Sequence, residues 1–126
     1  MKNLQLSLKK KWFEMTKAGI KTEDYREMTP YWSKRFGTPF THKTETSILY
    51  DFIDTDSNAY TLNNNNYDVN IMTLGYPKSI DKDRILKLEH KGIEIRTGNP
   101  EWGAEPNKLY FVIKHGNIIT DWYFGI

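Results

Sequence analysis

The chain lacks several features that whole classes of proteins require. It contains no cysteine, which excludes disulfide bonds, thiolate catalysis, thiolate zinc sites and iron–sulfur clusters. No apolar run approaches the roughly 18 residues that a membrane helix needs, and residues 1–12 do not follow the pattern of a signal peptide. We therefore expect a soluble, cytoplasmic protein that does not bind a membrane.

The usual patterns for cofactors and metals are also missing. The eight glycines form no phosphate-binding loop, dinucleotide fingerprint or nucleophile elbow. The three histidines (His42, His90 and His115) are scattered without the spacing of metal ligands. We interpret His90 and His115 as structural residues, and we expect neither a metal ion nor a cofactor.

Length and charge describe a small domain with an uneven charge distribution. A chain of 126 residues is enough for a single domain with one core. The net charge is only +2, but residues 1–44 contain ten Lys and Arg against four Asp and Glu, whereas residues 45–126 contain eight against twelve. If the basic stretch folds onto one face, it attracts phosphate groups. Lysines that merely solvate a helix explain the same pattern equally well.

The N-terminal third predicts a strand, a helix, a second strand and a helical turn. Leucine occupies positions 4, 6 and 8, an alternation typical of a half-buried strand. We predict that Ser7 caps a helix that runs through Lys17 and that Gly19 ends it in the left-handed conformation. A charge-rich strand is then expected over residues 21–28, followed by a helical turn that starts at Pro30.

Strand patterns dominate the C-terminal half. Short apolar runs around residues 69–71, 84–96 and 109–113 have strand character. The triplet His115-Gly116-Asn117 predicts a tight hairpin turn that leads into a last strand over residues 118–124. Together with the single strong helix, these runs predict a β-rich α+β fold: a small curved sheet or barrel with one main helix.

Residues 37–66 interrupt this pattern. They contain glycine, proline, an acidic stretch and a run of four asparagines, all of which favour turns. We predict a single domain over residues 1–126 with a loop insertion at 37–66.

The segment Gly19-Ile-Lys21-Thr-Glu-Asp24-Tyr-Arg26 concentrates the chemistry of the chain. A helix ends at glycine, and the next strand opens with lysine, carboxylate and arginine within six residues. Such a cluster of charges perturbs pKa values and binds anionic or hydrogen-bonding ligands. The alternative is an exposed strand with cross-strand ion pairs of little energetic weight.

This segment resembles the ASCH domain (activating signal cointegrator homology), a member of the PUA-like superfamily. The family pattern Gly-x-Lys-x-x-Glu-x-Arg follows an amphipathic helix and an N-terminal strand. It is matched here by Gly19, Lys21, Asp24 and Arg26, with aspartate in place of the usual glutamate.

A second stretch strengthens the resemblance. The sequences at 100–106 and 110–113 also look like those of ASCH proteins from phages and gut bacteria. The resemblance covers residues 3–36 and 67–119 and leaves out the predicted insertion.

The resemblance implies a PUA-like barrel with the helix near its mouth and a cleft beside the motif. It also implies binding of nucleic acid, most of all RNA. Single strands bind where a cationic groove carries aromatic faces for base stacking. We therefore take Lys21, Asp24, Arg26, Trp32 and Trp102 as candidate residues for binding RNA or a nucleoside-like ligand.

An alternative implied by the resemblance is a small amidohydrolase. One bacterial branch of the family removes the acetyl group from acetylated cytidine nucleosides, using a lysine together with a threonine and a glutamate. Lys21 matches the lysine, Asp24 stands at the threonine position, and Glu101 is the nearest candidate for the glutamate. A protein-binding module that uses the insertion is a third interpretation.

Overall fold

A computed structural model describes residues 2–36, 67–78 and 81–120, together with the backbone of residues 60–61. Over these residues the chain is β-rich, with one main helix and one small curved sheet, which confirms the predicted fold class. The described strands and helices, in chain order, are β1 (Asn3–Leu8), α1 (Lys10–Lys17), β2 (Glu23–Glu27), α2 (Pro30–Arg35), β3 (Tyr60–Thr61), β4 (Val69–Leu74), β5 (Ile85–Thr97) and β6 (Leu109–Ile118).

The sheet has the strand order β1, β4, β5, β6, β2, and the short β3 pairs with β5. β1 and β4 run parallel, with Leu4 opposite Asn70 and Leu6 opposite Met72. β4 and β5 run antiparallel. Parallel partners cannot be joined by a tight turn, so β1 and β4 lie far apart in the sequence.

The chain divides into two compact units. The first unit comprises Met1–Glu23, Tyr67–Lys91 and His115–Ile126. The second unit comprises Asp24–Asn66 and Gly92–Lys114. The boundaries fall within β2, β5 and β6, so these three strands contribute residues to both units.

The core of the first unit follows directly from the leucine alternation. Leu4, Leu6 and Leu8 are buried, while the residues between them are exposed. Burying each leucine contributes roughly 1.5–3 kcal/mol relative to leaving it in water. From α1, Phe13 and Thr16 are buried one turn apart, which is the spacing of one helix face.

The core of the second unit is built around tyrosines. Tyr25 packs against the buried cluster of Ala104, Tyr110 and Val112, with its ring 5.7 Å from that of Tyr110. Gly98 lies so close to this cluster that a Cβ there would be 2.7 Å from both Ala104 Cβ and a ring carbon of Tyr25. Glycine at this position therefore permits a tight approach of backbone to side chains.

The predicted start of the main helix is wrong, whereas its end is confirmed. β1 continues to Leu8, so Ser7 lies in the strand and its Oγ donates to the Gly75 carbonyl at 3.3 Å. The cap position of α1 falls on Lys9, which makes no side-chain capping bond. Gly19 follows the last turn with φ of 78°, in the left-handed region as predicted.

The smaller helix, in contrast, starts as predicted. Pro30 occupies the first position of α2, and the Thr29 hydroxyl accepts a hydrogen bond from the Trp32 backbone N–H at 3.3 Å. Proline loses nothing at this position, because its missing N–H would have no partner within the helix.

The predicted hairpin at residues 115–117 is wrong. β6 runs through these residues to Ile118, so His115 lies in a strand and not at the tip of a turn. A Cβ at Gly116 would be 2.5 Å from Lys91 Cε and 2.9 Å from Glu89 Oε1. This glycine therefore serves close packing between strands rather than a turn. The predicted strand over 118–124 lies largely outside the described residues.

The predicted insertion at 37–66 also lies outside the described residues, apart from the two-residue strand β3. That strand pairs Tyr60 with Ile95 and Thr61 with Glu94. Among the described residues, none of the helices combines the length and apolarity required to span a membrane.

Candidate functional site

The chain segment after α1 is shaped by a glycine-terminated helix end. The N–H groups of Gly19 and Ile20 donate to the carbonyls of Thr16 and Met15, at 3.1 and 3.0 Å. This is the Schellman arrangement, in which a left-handed glycine lets the last helical carbonyls find donors. The Lys21 N–H shares the Met15 carbonyl at 3.1 Å. The helix end thus fixes the backbone on which Lys21 is carried.

Lys21 lies in the wall of a pocket of about 450 Å³ within the first unit. Its side chain is buried, with the residue only 2% exposed. Its Nζ donates to the Glu23 carbonyl at 2.6 Å, which holds the ammonium group in place. The pocket, called the Lys21 pocket below, is lined by Thr16, Gly19, Lys21, Thr22, Leu88, His115, Gly116, Asn117 and Ile118.

The walls of the Lys21 pocket come from distant parts of the chain that hydrogen bonds hold together. The His115 N–H donates to the Thr22 carbonyl at 3.0 Å, which joins β6 to the segment that carries Lys21. The Thr16 hydroxyl donates to the Trp12 carbonyl at 2.8 Å, within the helix. The Asn117 N–H donates to Glu89 Oε1 at 2.8 Å. The pocket therefore has a wall that these bonds keep in shape.

Behind this wall, an asparagine connects two histidines. Asn70 is fully buried in β4. Its Nδ2 lies 2.7 Å from His115 Nδ1, and its Oδ1 lies 2.7 Å from His90 Nδ1. The residues predicted for the site do not include this cluster. The sequence carries one signal for it: Asn70 stands in the otherwise largely apolar run Val69–Leu74, and a buried polar side chain needs hydrogen-bond partners.

Asp24 and Arg26, the other two charged members of the sequence motif, belong to the second unit. Arg26 Nε donates to Asp24 Oδ2 at 2.9 Å, and Asp24 is only 5% exposed. The Arg26 guanidinium also lies over the Trp32 ring, 5.1 Å from its centroid. The structure thus brings together three of the predicted binding residues in this unit.

The aromatic side chains of α2 extend this group. The Trp32 ring stacks on Phe36, with centroids 5.5 Å apart and planes inclined by 22°. Tyr31 is 62% exposed, and the Arg35 guanidinium lies 5.8 Å from its ring centroid. A cation over an aromatic face is attracted to it, by about 0.5–1 kcal/mol at exposed sites. This helix therefore presents aromatic and cationic groups together.

Glu101 and Trp102 lie in a short 3-10 turn of the second unit, Pro100–Trp102. The turn is capped by Asn99, whose Oδ1 accepts from the Glu101 N–H at 3.0 Å. Glu101 is exposed, and Trp102 is partly buried.

Two further charged groups of the second unit have shifted pKa values. The hydrogen bond from Lys114 lowers the pKa of Glu94 below its usual range against the opposing effect of burial, and Arg96 lowers it further. The hydrogen bond to Glu27 raises the pKa of Lys108. Both shifts arise from ion pairs within this unit.

Metal binding has no support in the described part of the chain. Its residues include no cluster of three or more His, Asp or Glu side chains that could hold an ion.

Comparisons with known proteins add no assignment to this geometry. No protein-family model, curated protein or solved structure matches the chain.

Proposed function

We propose that this protein is a nucleic-acid-binding module of the ASCH type, in which the Lys21 pocket holds one nucleotide of a single-stranded RNA. The observation that carries the proposal is a buried lysine in the wall of a pocket of about 450 Å³. Pockets of roughly 300–1,000 Å³ are typical of small-molecule sites, a range that suits a nucleotide. The lysine supplies a cationic donor for a phosphate or a base carbonyl.

The charge of the first unit supports the same ligand class. Its sequence contains eleven Lys and Arg against seven Asp and Glu. Lys10, Lys11 and Lys17 of α1 are exposed, and α1 also contributes Thr16 to the Lys21 pocket. Exposed lysines attract the phosphate backbone without regard to sequence.

The resemblance to ASCH domains supports the proposal, because the first two residues of the motif lie at the pocket. The family pattern begins with glycine, and Gly19 here has a left-handed backbone that ends the helix. Lys21, the second position, lines the pocket.

Aromatic groups of the second unit supply a further argument. Single-stranded RNA is held where bases stack on aromatic side chains beside cations. Tyr31 is exposed, and Trp32 lies under Arg26.

The test is a binding titration with fluorescently labelled oligouridine of about ten nucleotides, which is within the length range of single-strand sites. The logarithm of the association constant should fall linearly with the logarithm of the salt concentration between about 50 and 200 mM. Lys21→Met, which keeps the buried volume but removes the cation, should weaken binding about tenfold, because a charged hydrogen bond contributes about 1.5 kcal/mol or more.

The matched control is Lys78→Met, an exposed lysine of the same unit. It removes the same charge away from the pocket lining and should change the affinity much less. An amide spectrum of each variant checks the fold. No binding at low salt, or an equal loss in both variants, would overturn the proposal.

A second candidate, hydrolysis of an acetylated cytidine nucleoside, draws on the same observation. A buried primary amine in a pocket large enough for a nucleoside is one of the groups that such a reaction uses. Incubation with N4-acetylcytidine, followed by chromatography, tests it directly. Turnover that Lys21→Met abolishes supports the enzyme, and no turnover by the unmodified protein rejects this reaction.

A further inference from the structure

The Asn70 side chain is a two-ended connector between the imidazoles of His90 and His115. Each Nδ1 lies 2.7 Å from one end of the amide, which is a short hydrogen bond for nitrogen donors and acceptors. Asn70 is 0% exposed, and the Nε2 atoms of both rings are buried as well. The orientation of the two rings is therefore set by the amide and by the packing around it.

An amide has one donor end and one acceptor end, and this asymmetry constrains the two rings. The Nδ2 end donates, so His115 Nδ1 must accept and carries no proton. The Oδ1 end accepts, so His90 Nδ1 must donate and carries one. If both rings were charged, His90 Nδ1–H would still donate to Oδ1, but His115 Nδ1–H would face the N–H of the amide, so two buried donors would oppose each other. The amide is thus compatible with a charge on one ring at a time.

The surroundings of the two rings differ in a way that selects which ring takes the proton. His115 shares the wall of the pocket with Lys21, whose positive charge disfavours a second cation there. His90 already has Nδ1 protonated, so it gains charge at Nε2 without any change in the amide, and the burial of Nε2 is the cost of that charge. The ring of His90 lies against Tyr67, with centroids 5.7 Å apart.

The carboxylates near the two rings, Glu89 and Asp68, bind other partners. Glu89 lies beside Gly116, where it accepts from the Asn117 N–H and faces Lys91 at 3.9 Å. Asp68 accepts from the Lys2 N–H through its carboxylate, at 3.0 Å. Described charged and titratable side chains on the elements that carry or contact the two rings include Lys21, Tyr67, Asp68, Lys87, Glu89, Lys91 and Lys114, of which Lys114 is paired with Glu94 at 2.8 Å.

We propose that Asn70 is a positioning residue of the Lys21 pocket, which keeps His115 neutral with its proton on Nε2 and directs protonation to His90. The benefit of this arrangement rests on the proposed function: if a nucleotide binds in the Lys21 pocket, the wall beside it keeps a constant charge while His90 titrates. Without Asn70, the wall would gain a positive charge on acidification.

The test measures the histidines directly and needs no ligand. Long-range proton–nitrogen correlation spectra of the uniformly nitrogen-labelled full chain report the protonation of each ring nitrogen. They are recorded from about pH 8 to about pH 5, which is the range in which imidazoles ordinarily titrate. His115 should show a protonated Nε2 and an unprotonated Nδ1 at every pH, while His90 becomes charged.

Asn70→Asp supplies the decisive variant, because a carboxylate accepts at both ends. Both imidazoles should then become charged between pH 8 and pH 5. His90→Gln is a second variant that leaves Asn70 in place, and His115 should stay neutral in it. In the unmodified protein, a protonated Nδ1 on His115, or charging of His115 in the same range as His90, would overturn the inference.

The outcomes separate this inference from the proposed function. The histidine titration is measured without RNA, whereas the proposed function is tested by the affinity of Lys21→Met for oligouridine. A neutral His115 together with absent RNA binding would retain the positioning role and reject the function. A charged His115 together with salt-sensitive RNA binding would reject the positioning role and retain the proposed function.

Discussion

A pocket in the first unit contrasts with the closely packed Tyr25 cluster of the second unit. In the first unit, buried Lys21 borders a pocket of about 450 Å³. In the second unit, Gly98 is packed so closely that a single methyl group would lie 2.7 Å from its neighbours. Binding requires concave space next to polar groups. This contrast supports our proposal that the ligand binds in the Lys21 pocket, whereas the Tyr25 cluster packs the core of the second unit.

The charged groups of the second unit complete the contrast. Glu94 bonds Lys114 and Arg96 at 2.8 and 2.9 Å. Asp24 bonds Arg26 at 2.9 Å. In these described pairs, carboxylates and cations bind each other, an arrangement that contributes to stability.

Gly98→Ala should have the largest effect on stability. The added methyl would meet Ala104 and the Tyr25 ring, neither of which can rotate away, and such overpacking costs about 1–3 kcal/mol.

Gly116→Ala is the matched change in the first unit. It meets Lys91 Cε and Glu89 Oε1, which are flexible ends that can shift, and Glu89 Cβ at the longer distance of 3.0 Å, so its cost should be smaller. Urea denaturation of both variants gives the two free energies of unfolding, and an equal or larger loss in Gly116→Ala would break the comparison.

Glu94→Gln should have the next largest effect, and one that depends on pH. The charged hydrogen bonds to Lys114 and Arg96 contribute about 1–3 kcal/mol at neutral pH. The pKa of Glu94 is lowered on folding, so its contribution is fully present above the ordinary value of 4.5 and is lost as the pH falls through its folded pKa.

Urea denaturation at neutral pH and at about pH 3 measures this difference. The gap between the unmodified protein and Glu94→Gln should shrink on acidification. A gap that stays constant would show that the loss comes from packing and not from charge.

Lys108→Met should have the smallest effect. Its ion pair with Glu27 is 2.8 Å long, but the glutamate side chain is 63% exposed. Exposed pairs contribute little to stability and are weakened by salt. Denaturation at moderate salt should give a midpoint that does not differ from the unmodified protein, and a loss as large as that of Glu94→Gln would contradict the distinction between the two pairs.

The local features of this fold could be predicted from the sequence because neighbouring residues determine them. Leucines at alternate positions define β1, Gly19 ends α1, and Pro30 starts α2. Ser7 shows the limit of such patterns. Serine at this position has the chemistry of a helix cap, but pairing with β4 extends β1 past it, and that pairing depends on residues more than sixty positions away.

The candidate site could be predicted only in part. Lys21 was identified from its motif. His115 was misplaced because glycine at position 116 serves either a turn or a close approach, and only the strand partners decide between them. Thr16 and Leu88 reach the pocket from α1 and β5, so no sequence pattern connects them with Lys21.

The central claim is that the ligand occupies the Lys21 pocket of the first unit. The most direct measurement follows the backbone amide signals of the full chain while an oligouridine of about ten nucleotides is added at low salt. The account predicts that the largest shifts occur at residues 16–22 and 115–118 and that Lys21→Met greatly reduces them. Shifts confined to Tyr31–Arg35 in α2, or no shifts at all, would contradict it.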